Sequence, residues 1–76
     1  MSTPILLPRL GFSMSEGRLM EWLVVDGSAV VQGQPIYSLE SEKTIQDIES
    51  PATGTLKIHK AAGSSFAVGT VLGEIS

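Results

Sequence analysis

The sequence predicts an all-β fold, and two observations support this prediction. Glycine and proline recur at short intervals along the 76 residues, with eight glycines and four prolines. The intervals between them suit strands of four to eight residues rather than a long amphipathic helix. The second half of the chain also repeats the pattern of the first half. We therefore expect a flattened barrel or sandwich of two four-stranded antiparallel sheets related by approximate two-fold symmetry.

Eight short strands are predicted from the apolar runs between the turn residues. In the first half they cover residues 4–8, 17–25, 29–31 and 35–41. In the second half they cover residues 44–50, 54–60, 65–67 and 70–75. Asp26-Gly27 and Ala62-Gly63 follow the second and sixth runs, and their glycines suit turns that require a positive φ. These two turns need no functional explanation.

The internal repeat relates GRLMEWLVVDGSAVVQGQPIYSLE, residues 17–40, to GTLKIHKAAGSSFAVGTVLGEIS, residues 54–76. The second copy has one residue fewer before its second central glycine. The aligned positions are glycines and apolar residues: Gly17 with Gly54, Leu19 with Leu56, Gly27 with Gly63, Val30 with Phe66, Gly33 with Gly69 and Ile36 with Leu72. Neither half can bury its apolar face alone, so we expect the two halves to pack against each other.

Composition indicates one small globular domain, residues 1–76. The hydrophobic content of 42% is too high for a disordered chain. A chain of this size buries about 60% of the surface that its unfolded form exposes, which leaves no room for a deep active-site cleft. We therefore do not expect catalysis by this chain alone, and we assign no catalytic residue.

Composition also excludes or disfavours several classes of binding site. The absence of cysteine excludes disulfides and thiolate metal sites, and the single histidine, His59, cannot form a metal site without carboxylates. A formal charge of −3 and a pI near 4.8 argue against nucleic-acid binding, which requires clustered Lys and Arg. The first residues lack a signal-peptide pattern, and no apolar run is long enough to span a membrane.

The segment YSLESEKTIQDIESPATG, residues 37–54, places Lys43 among four acidic residues: Glu40, Glu42, Asp47 and Glu49. The chain reverses at SEKT, residues 41–44, without glycine, asparagine or proline, as a type I turn permits. A lysine amine in water has a pKa of about 10.4, so at pH 7 it is a poor base and a poor Schiff-base nucleophile. Lys43 is then either a solvated turn lysine or an amine that another enzyme acylates with a cofactor.

The ordered pieces GFSMSEGRL, EWLVVDGSAVVQGQPI, ESEK and ESPATGTL together resemble the lipoyl domain of 2-oxo acid dehydrogenase complexes. The resemblance covers about residues 4–75 and implies a barrel-sandwich hybrid with lipoate attached covalently to Lys43. It also implies that lipoate-attaching enzymes recognise Glu40. In the family the residue before the lysine is usually Asp and the residue after it is often Ala, whereas this chain has Glu42 and Thr44. Both residues keep the charge and approximate size of the family pattern.

A second predicted recognition element is the loop GFSMSEG, residues 11–17. By the resemblance, this loop lies near the lipoyl-lysine turn and helps the partner dehydrogenase to recognise its own domain. Gly11, Phe12 and Met14 are then recognition residues, with Phe12 and Met14 as exposed apolar contacts. The alternative is that one or both of Phe12 and Met14 cap the end of the barrel.

The predicted strand after Lys43 departs from a regular alternation. Ile45 and Ile48 are three residues apart, so they cannot share one face of a regular strand. Either a local bulge resolves the conflict, or Ile45 is exposed beside the lysine and forms part of a recognition surface. A twisted sheet edge that half-covers Ile45 is the alternative to a recognition role.

The resemblance implies that the domain is a carrier and a substrate of other enzymes. A thiamine-diphosphate-dependent 2-oxo acid dehydrogenase loads the lipoyl arm, an acyltransferase domain passes the acyl group to coenzyme A, and dihydrolipoamide dehydrogenase, a flavoprotein, reoxidises the dithiol. A lipoate ligase or lipoyl transferase attaches the arm. The sequence leaves the oxo acid, or acetoin, open. We expect a monomeric N-terminal module of an acyltransferase component, in the bacterial cytoplasm or the mitochondrial matrix.

Three alternatives remain at the level of the sequence. Biotin carrier domains share the fold, but methionines flank their lysine, whereas Lys43 lies between Glu42 and Thr44. The lipoylated carrier protein of glycine cleavage resembles the segment KTIQDIESP but is considerably longer. An unmodified interaction module has no need of a lysine at the tip. Lipoate on Lys43 is therefore the preferred interpretation.

Overall fold

The computed structural model describes residues 2–42 and 44–76. These residues form eight strands: β1 (Thr3–Leu6), β2 (Glu16–Trp22), β3 (Ala29–Val30), β4 (Pro35–Glu40), β5 (Ile45–Glu49), β6 (Gly54–Ile58), β7 (Ser65–Ala67) and β8 (Val71–Ile75). Each strand coincides with a predicted one, and the differences are confined to one to three residues at the strand ends. Within the two described ranges, no helix could cross a membrane.

The strands form two sheets in which every neighbouring pair is antiparallel. The strand order is β1-β8-β6-β3 in the first sheet and β5-β4-β2-β7 in the second. Both sheets combine the two repeats, because β3 pairs with β6 and β7 pairs with β2. The predicted pair of four-stranded antiparallel sheets is confirmed.

The two sheets do not join into a closed barrel over the part of the chain that the structure describes. The edge strands β3 and β7 contain only two and three residues, so they offer few backbone groups for pairing between the sheets. The expected flattened sandwich of two four-stranded sheets is therefore confirmed, and the described strands do not close it into a barrel.

The core lies between the sheets and takes its side chains from both repeats. Among the described residues it contains ten buried apolar ones: Ile5, Leu7, Leu19, Val30, Ile36, Tyr37, Leu39, Leu56, Leu72 and Ile75. The members of three aligned pairs of the repeat lie in or against this cluster: Leu19 and Leu56, Ile36 and Leu72, and Val30 and the partly buried Phe66. The sequence repeat is therefore a repeat of core positions, which confirms that the halves pack against each other.

Glycine turns follow the same repeat. Four glycines have positive φ: Gly27 at +89°, Gly33 at +91°, Gly63 at +101° and Gly69 at +90°. A Cβ added at Gly27 or Gly63 would have no heavy atom within 4 Å. Backbone conformation, rather than lack of space, is therefore what requires glycine at these turns. The positive φ expected at Gly27 and Gly63 is confirmed.

The hairpin β4–β5 has its base close to the C-terminal residue. At the base, Gly33 N–H donates to the Ser50 carbonyl at 3.0 Å, and Ser50 N–H donates to the Gln34 carbonyl at 2.8 Å. Ser76 exchanges backbone hydrogen bonds with Thr55 at 2.8 and 3.0 Å. The neighbouring Gly54 pairs with Val30, which lies three residues before Gly33. The tip of the hairpin, residues 41–44, therefore lies at the end of β4 away from the C-terminal residue.

Candidate functional site

The candidate site is the tip of the hairpin formed by β4 and β5. The two strands pair Ser38 with Asp47, Leu39 with Gln46 and Glu40 with Ile45. This register leaves residues 41–44 as the connection. Lys43, the predicted attachment residue, lies outside the described residues, so the site is defined here by its neighbours in the chain.

Hydrogen bonds between Ser41 and Thr44 close the tip. The Ser41 N–H donates to the Thr44 carbonyl at 2.8 Å, and the Ser41 hydroxyl donates to the same carbonyl at 3.3 Å. Glu42 and Thr44 are exposed, whereas Glu40 and Ser41 are half-buried. The residues on both sides of Lys43 in the sequence are therefore accessible to solvent and belong to a closed turn.

Strand β4 anchors the hairpin in the core. Ile36, Tyr37 and Leu39 are fully buried, and the Ser38 hydroxyl donates to the Asp47 carboxylate at 2.9 Å across the strands. The Tyr37 ring lies 5.3 Å from the Trp22 ring at an interplanar angle of 56°, a favourable tilted arrangement. A hairpin held in this way presents its tip from a rigid base.

The Tyr37 hydroxyl is an exception within this anchor. It is buried and has no hydrogen-bond partner among the residues that the structure describes. Burial raises the pKa of Tyr37 to about 12, because the phenolate is poorly solvated there. The ring therefore contributes apolar packing while its hydroxyl retains a desolvation cost.

An open groove of about 650 Å³ lies between the tip and the loop that precedes β2. The structure brings five of the predicted recognition residues to its walls: Glu40, Glu42, Thr44, Gly11 and Met14. Glu16 adds a third acidic side chain to the walls and Arg18 adds a basic one. A smaller depression of about 490 Å³, lined by Ile45 and tip residues, adjoins the same tip. The loop and the tip predicted to act together are therefore neighbours.

Phe12 and Met14 occupy different environments in this loop. Phe12 is fully exposed, with a relative accessibility of 104%, and it does not line the groove. Met14 is partly buried against the core, and its sulfur accepts a hydrogen bond from the Leu10 N–H at 3.2 Å. A Cβ at Gly17 would lie 2.8 Å from the Met14 Cε, so the glycine makes room for the methionine. Exposure of Phe12 agrees with the prediction, whereas Met14 follows the alternative of capping the core.

Comparisons with known proteins decide the family. The family of biotin- and lipoyl-attachment domains, described as "Biotin-requiring enzyme", matches residues 3–75. The chain belongs to this family. The solution structure of the lipoyl domain of the 2-oxoglutarate dehydrogenase complex from Azotobacter vinelandii is similar to it, with a TM-score of 0.78 and 26% identity. That match covers 96% of this chain and 94% of the other.

Two curated relatives distinguish lipoate from biotin. The acetyltransferase component of the acetoin cleaving system of Cupriavidus necator is 38% identical over 74 residues, which covers 96% of this chain and 20% of that protein. The succinyltransferase component of the 2-oxoglutarate dehydrogenase complex of Rickettsia bellii is 36% identical over 77 residues, which covers 100% of this chain and 19% of that protein. Both are dihydrolipoyllysine-residue acyltransferases. The chain spans about one fifth of the length of these relatives.

These comparisons confirm the lipoyl interpretation over the biotin alternative. The chain is a lipoyl domain, a carrier unit rather than a catalytic one, of a family that holds lipoate covalently on a lysine. A small chain with a thin core has no room for a deep active-site cleft, which is the reason that its size argued against catalysis. A sandwich of two short-stranded sheets offers a surface for attachment but no enclosed cleft.

The irregularity of the lipoyl domain's hairpin lies in β4, not in β5. The register shifts between Pro35 and Tyr37, which allows Ile36 and Tyr37 to be buried together. On β5, Ile48 pairs with Tyr37 and is half-buried, whereas Ile45 is 57% exposed. Both expected features are present in the hairpin: Ile45 is exposed, and the local bulge lies in β4, opposite Ile48, rather than in β5.

Two residues of the site escaped the sequence interpretation. Arg18 pairs with Glu40 across β2 and β4 and lines the groove. Ser41 closes the tip through its backbone and its hydroxyl. The alternation in β2, with Leu19 buried beside exposed Arg18 and Met20, could have placed Arg18 on the outer face. No sequence signal separates Ser41 from an ordinary turn serine.

Proposed function

We propose that this lipoyl domain carries lipoate in amide linkage on Lys43 and serves as the swinging arm of a 2-oxo acid or acetoin dehydrogenase complex. The observation that carries this proposal is the closed hairpin tip, in which exposed Glu42 and Thr44 flank Lys43 in sequence. The attached dithiolane supplies the chemistry, because it accepts an acyl group together with two electrons and gives both up at later active sites. The names of the curated relatives support a role in complexes of this kind.

The chain's own residues fit such an arm. An attaching enzyme needs an accessible backbone on both sides of the amine, and Glu42 and Thr44 are exposed. The adjoining groove of about 650 Å³ leaves the surface beside the tip open for an approaching partner. The buried residues of β4 fix the base of the hairpin, so the lipoyl-lysine arm supplies the reach. Tethering of this kind raises the local concentration of a carried group to about millimolar.

The acidic side chains around the tip favour partner enzymes whose active-site entrances are basic. Amide formation removes one positive charge, which takes the formal charge of the chain from −3 to −4. Glu16, Glu40 and Glu42 then face the groove together with the cationic Arg18. An acidic surface of this kind increases the rate of encounter with a basic active-site mouth. Candidate partners are a thiamine-diphosphate-dependent 2-oxo acid dehydrogenase, an acyltransferase domain and dihydrolipoamide dehydrogenase.

Attachment is tested by co-expression with a lipoate ligase and lipoate, followed by intact mass measurement and peptide mapping. We expect one lipoyl group, on Lys43. Lys43→Arg is expected to fold normally and gain nothing, whereas Lys60→Arg, the matched control, is expected to be modified like the wild type. Modification by a biotin ligase, or no modification where a control lipoyl domain is modified, would contradict the proposal.

Recognition by the attaching enzyme is tested at Glu40. Glu40→Gln keeps the shape of the side chain and removes its charge, so we expect a higher KM for the ligase with unchanged thermal stability. Glu49→Gln, at the other end of the same hairpin, is the matched control. Equal KM values for the two variants would show that general charge, rather than the position of Glu40, matters.

A further inference from the structure

The hairpin tip, residues 41–44, contains none of the residues that favour the usual two-residue hairpin turns. Two-residue hairpin loops favour types I′ and II′, and both require a positive φ at the first central residue. Glu42 occupies that place, and none of the non-glycine residues that the structure describes has a positive φ. The tip therefore lacks the backbone conformation that matches the twist of the flanking strands.

Ser41 compensates for this mismatch. Its N–H and its hydroxyl both donate to the Thr44 carbonyl, at 2.8 and 3.3 Å, so two hydrogen bonds from one residue join the two ends of the loop. Ser41 is half-buried and lines both depressions beside the tip. The hydroxyl is thus placed to hold the closed form of the loop.

A second turn, residues 67–70, also has one residue whose N–H and hydroxyl donate to the same carbonyl, but there the donor is the last residue of the turn rather than the first. Thr70 donates its N–H and its hydroxyl to the Ala67 carbonyl at 3.1 and 2.7 Å. That turn contains Gly69, whose φ of +90° supplies the conformation that the turn requires. The side-chain hydrogen bond of Thr70 therefore adds to a backbone conformation that already favours its turn. The side-chain hydrogen bond of Ser41 supports a turn that lacks such a conformation.

We propose that Ser41 is a positioning residue for the modification of Lys43: its hydroxyl closes the loop that presents the lysine to the attaching enzyme. This inference rests on the proposed attachment at Lys43. A ligase that accepts the closed loop binds only the fraction of molecules in that form, so a loss of closure raises the apparent KM. Once the complex has formed, the ligase itself holds the loop, so kcat is unchanged.

The test compares wild type, Ser41→Ala, Ser41→Thr and Thr70→Ala as substrates of a lipoate ligase in steady-state kinetics. For Ser41→Ala we expect a KM raised by about twofold to fivefold, the upper value being the factor that corresponds to one neutral hydrogen bond. Its kcat is expected to be unchanged. Ser41→Thr keeps the hydroxyl and is expected to restore the wild-type KM. Thr70→Ala is expected to leave the KM unchanged.

Amide hydrogen exchange at residue 41, followed by NMR in the unmodified domain, supplies a readout independent of the ligase. We expect faster exchange at residue 41 in Ser41→Ala and wild-type exchange in Thr70→Ala. A wild-type KM for Ser41→Ala, a failure of Ser41→Thr to restore it, or an equal rise for Thr70→Ala would overturn the inference alone. A wild-type domain that gains no lipoyl group would overturn the proposed function, and this inference with it.

Discussion

The glycine turns at Gly27 and Gly63 and the tip at residues 41–44 reverse the chain by different means. The glycine turns take positive φ values of +89° and +101°, which only glycine adopts readily. The tip contains no glycine and is closed by hydrogen bonds from Ser41. Backbone geometry thus dictates the residues of the first two turns. At the tip no described residue has a positive φ, so the backbone leaves Glu42 and Thr44 free for recognition while Ser41 closes the turn.

The largest expected effect is a loss of stability on substitution in a glycine turn. Gly27→Val places a β-branched residue at a positive φ, so we expect a loss of roughly 2 kcal/mol in the free energy of unfolding. That corresponds to a decrease of about 8–16 °C in Tm for a domain of this size. Gly27→Asn, which tolerates the left-handed conformation better, is expected to lose less. Equal stability of the valine variant and the wild type in urea unfolding would break the comparison.

A smaller effect of opposite sign is expected in the strand that leads to the tip. Tyr37→Phe removes a buried hydroxyl that has no partner within residues 2–42 and 44–76, and it keeps the ring against Trp22. We expect the free energy of unfolding to rise by about 1 kcal/mol. Urea unfolding at neutral pH measures this change, and a marked loss of stability would show that the hydroxyl contributes a bond.

The same substitution has a signature at alkaline pH. The pKa of Tyr37 is about 12 in the folded domain, above its ordinary value of 10.0. The stabilisation from keeping the hydroxyl protonated is complete below about pH 10 and is lost as the pH rises toward 12. Wild type is therefore expected to lose more stability than Tyr37→Phe between pH 10 and 12. Parallel curves for the two proteins would contradict this assignment.

A substitution at the hairpin tip is expected to change stability only slightly. Glu42→Val introduces the same residue type as Gly27→Val, but at an exposed position without a positive φ. We expect a change of less than about 0.5 kcal/mol in the free energy of unfolding. A loss as large as that of Gly27→Val would mean that folding, rather than function, constrains the tip.

The smallest expected effect lies on the first sheet, at the half-buried Glu74. A hydrogen bond from Ser2, together with His59 at 3.4 Å and Lys57, lowers the pKa of Glu74. A lowered pKa means that the stabilisation is present above the unfolded value and is lost as the pH falls through the folded one. Glu74→Gln is therefore expected to reduce the acid sensitivity of Tm slightly, and thermal melts of the variant and the wild type at acidic pH measure this difference.

The sequence predicted much of the fold because its signals are local or repeated. Strand positions followed from apolar runs between turn residues, and the aligned glycines at positions 27 and 63 marked the turns with positive φ. The pairing of β3 with β6 and of β7 with β2 was not predicted, since both strands are very short. Their partners are set by which apolar faces meet in the core.

The candidate site also combines features that the sequence predicted with features that only the structure shows. Glu40, Glu42, Thr44 and the loop 11–17 were selected from the sequence, and the structure places the tip and this loop beside one groove. The attachment residue Lys43 and the recognition roles stay predictions. Phe12 and Met14 are similar in sequence terms, yet only packing against the core separated the exposed residue from the capping one.

The sequence by itself determined the alternation of strands and turns, the glycines with positive φ and the place of a lysine among acids between two repeats. Those features depend on the conformational limits of single residues and on the spacing of apolar side chains, which are written locally. Only the tertiary structure decided that the sheets stay separate, that Ile45 is exposed and that Ser41 closes the tip. These depend on contacts between residues of different strands, because burial and hydrogen-bond partners exist only once the sheets are assembled.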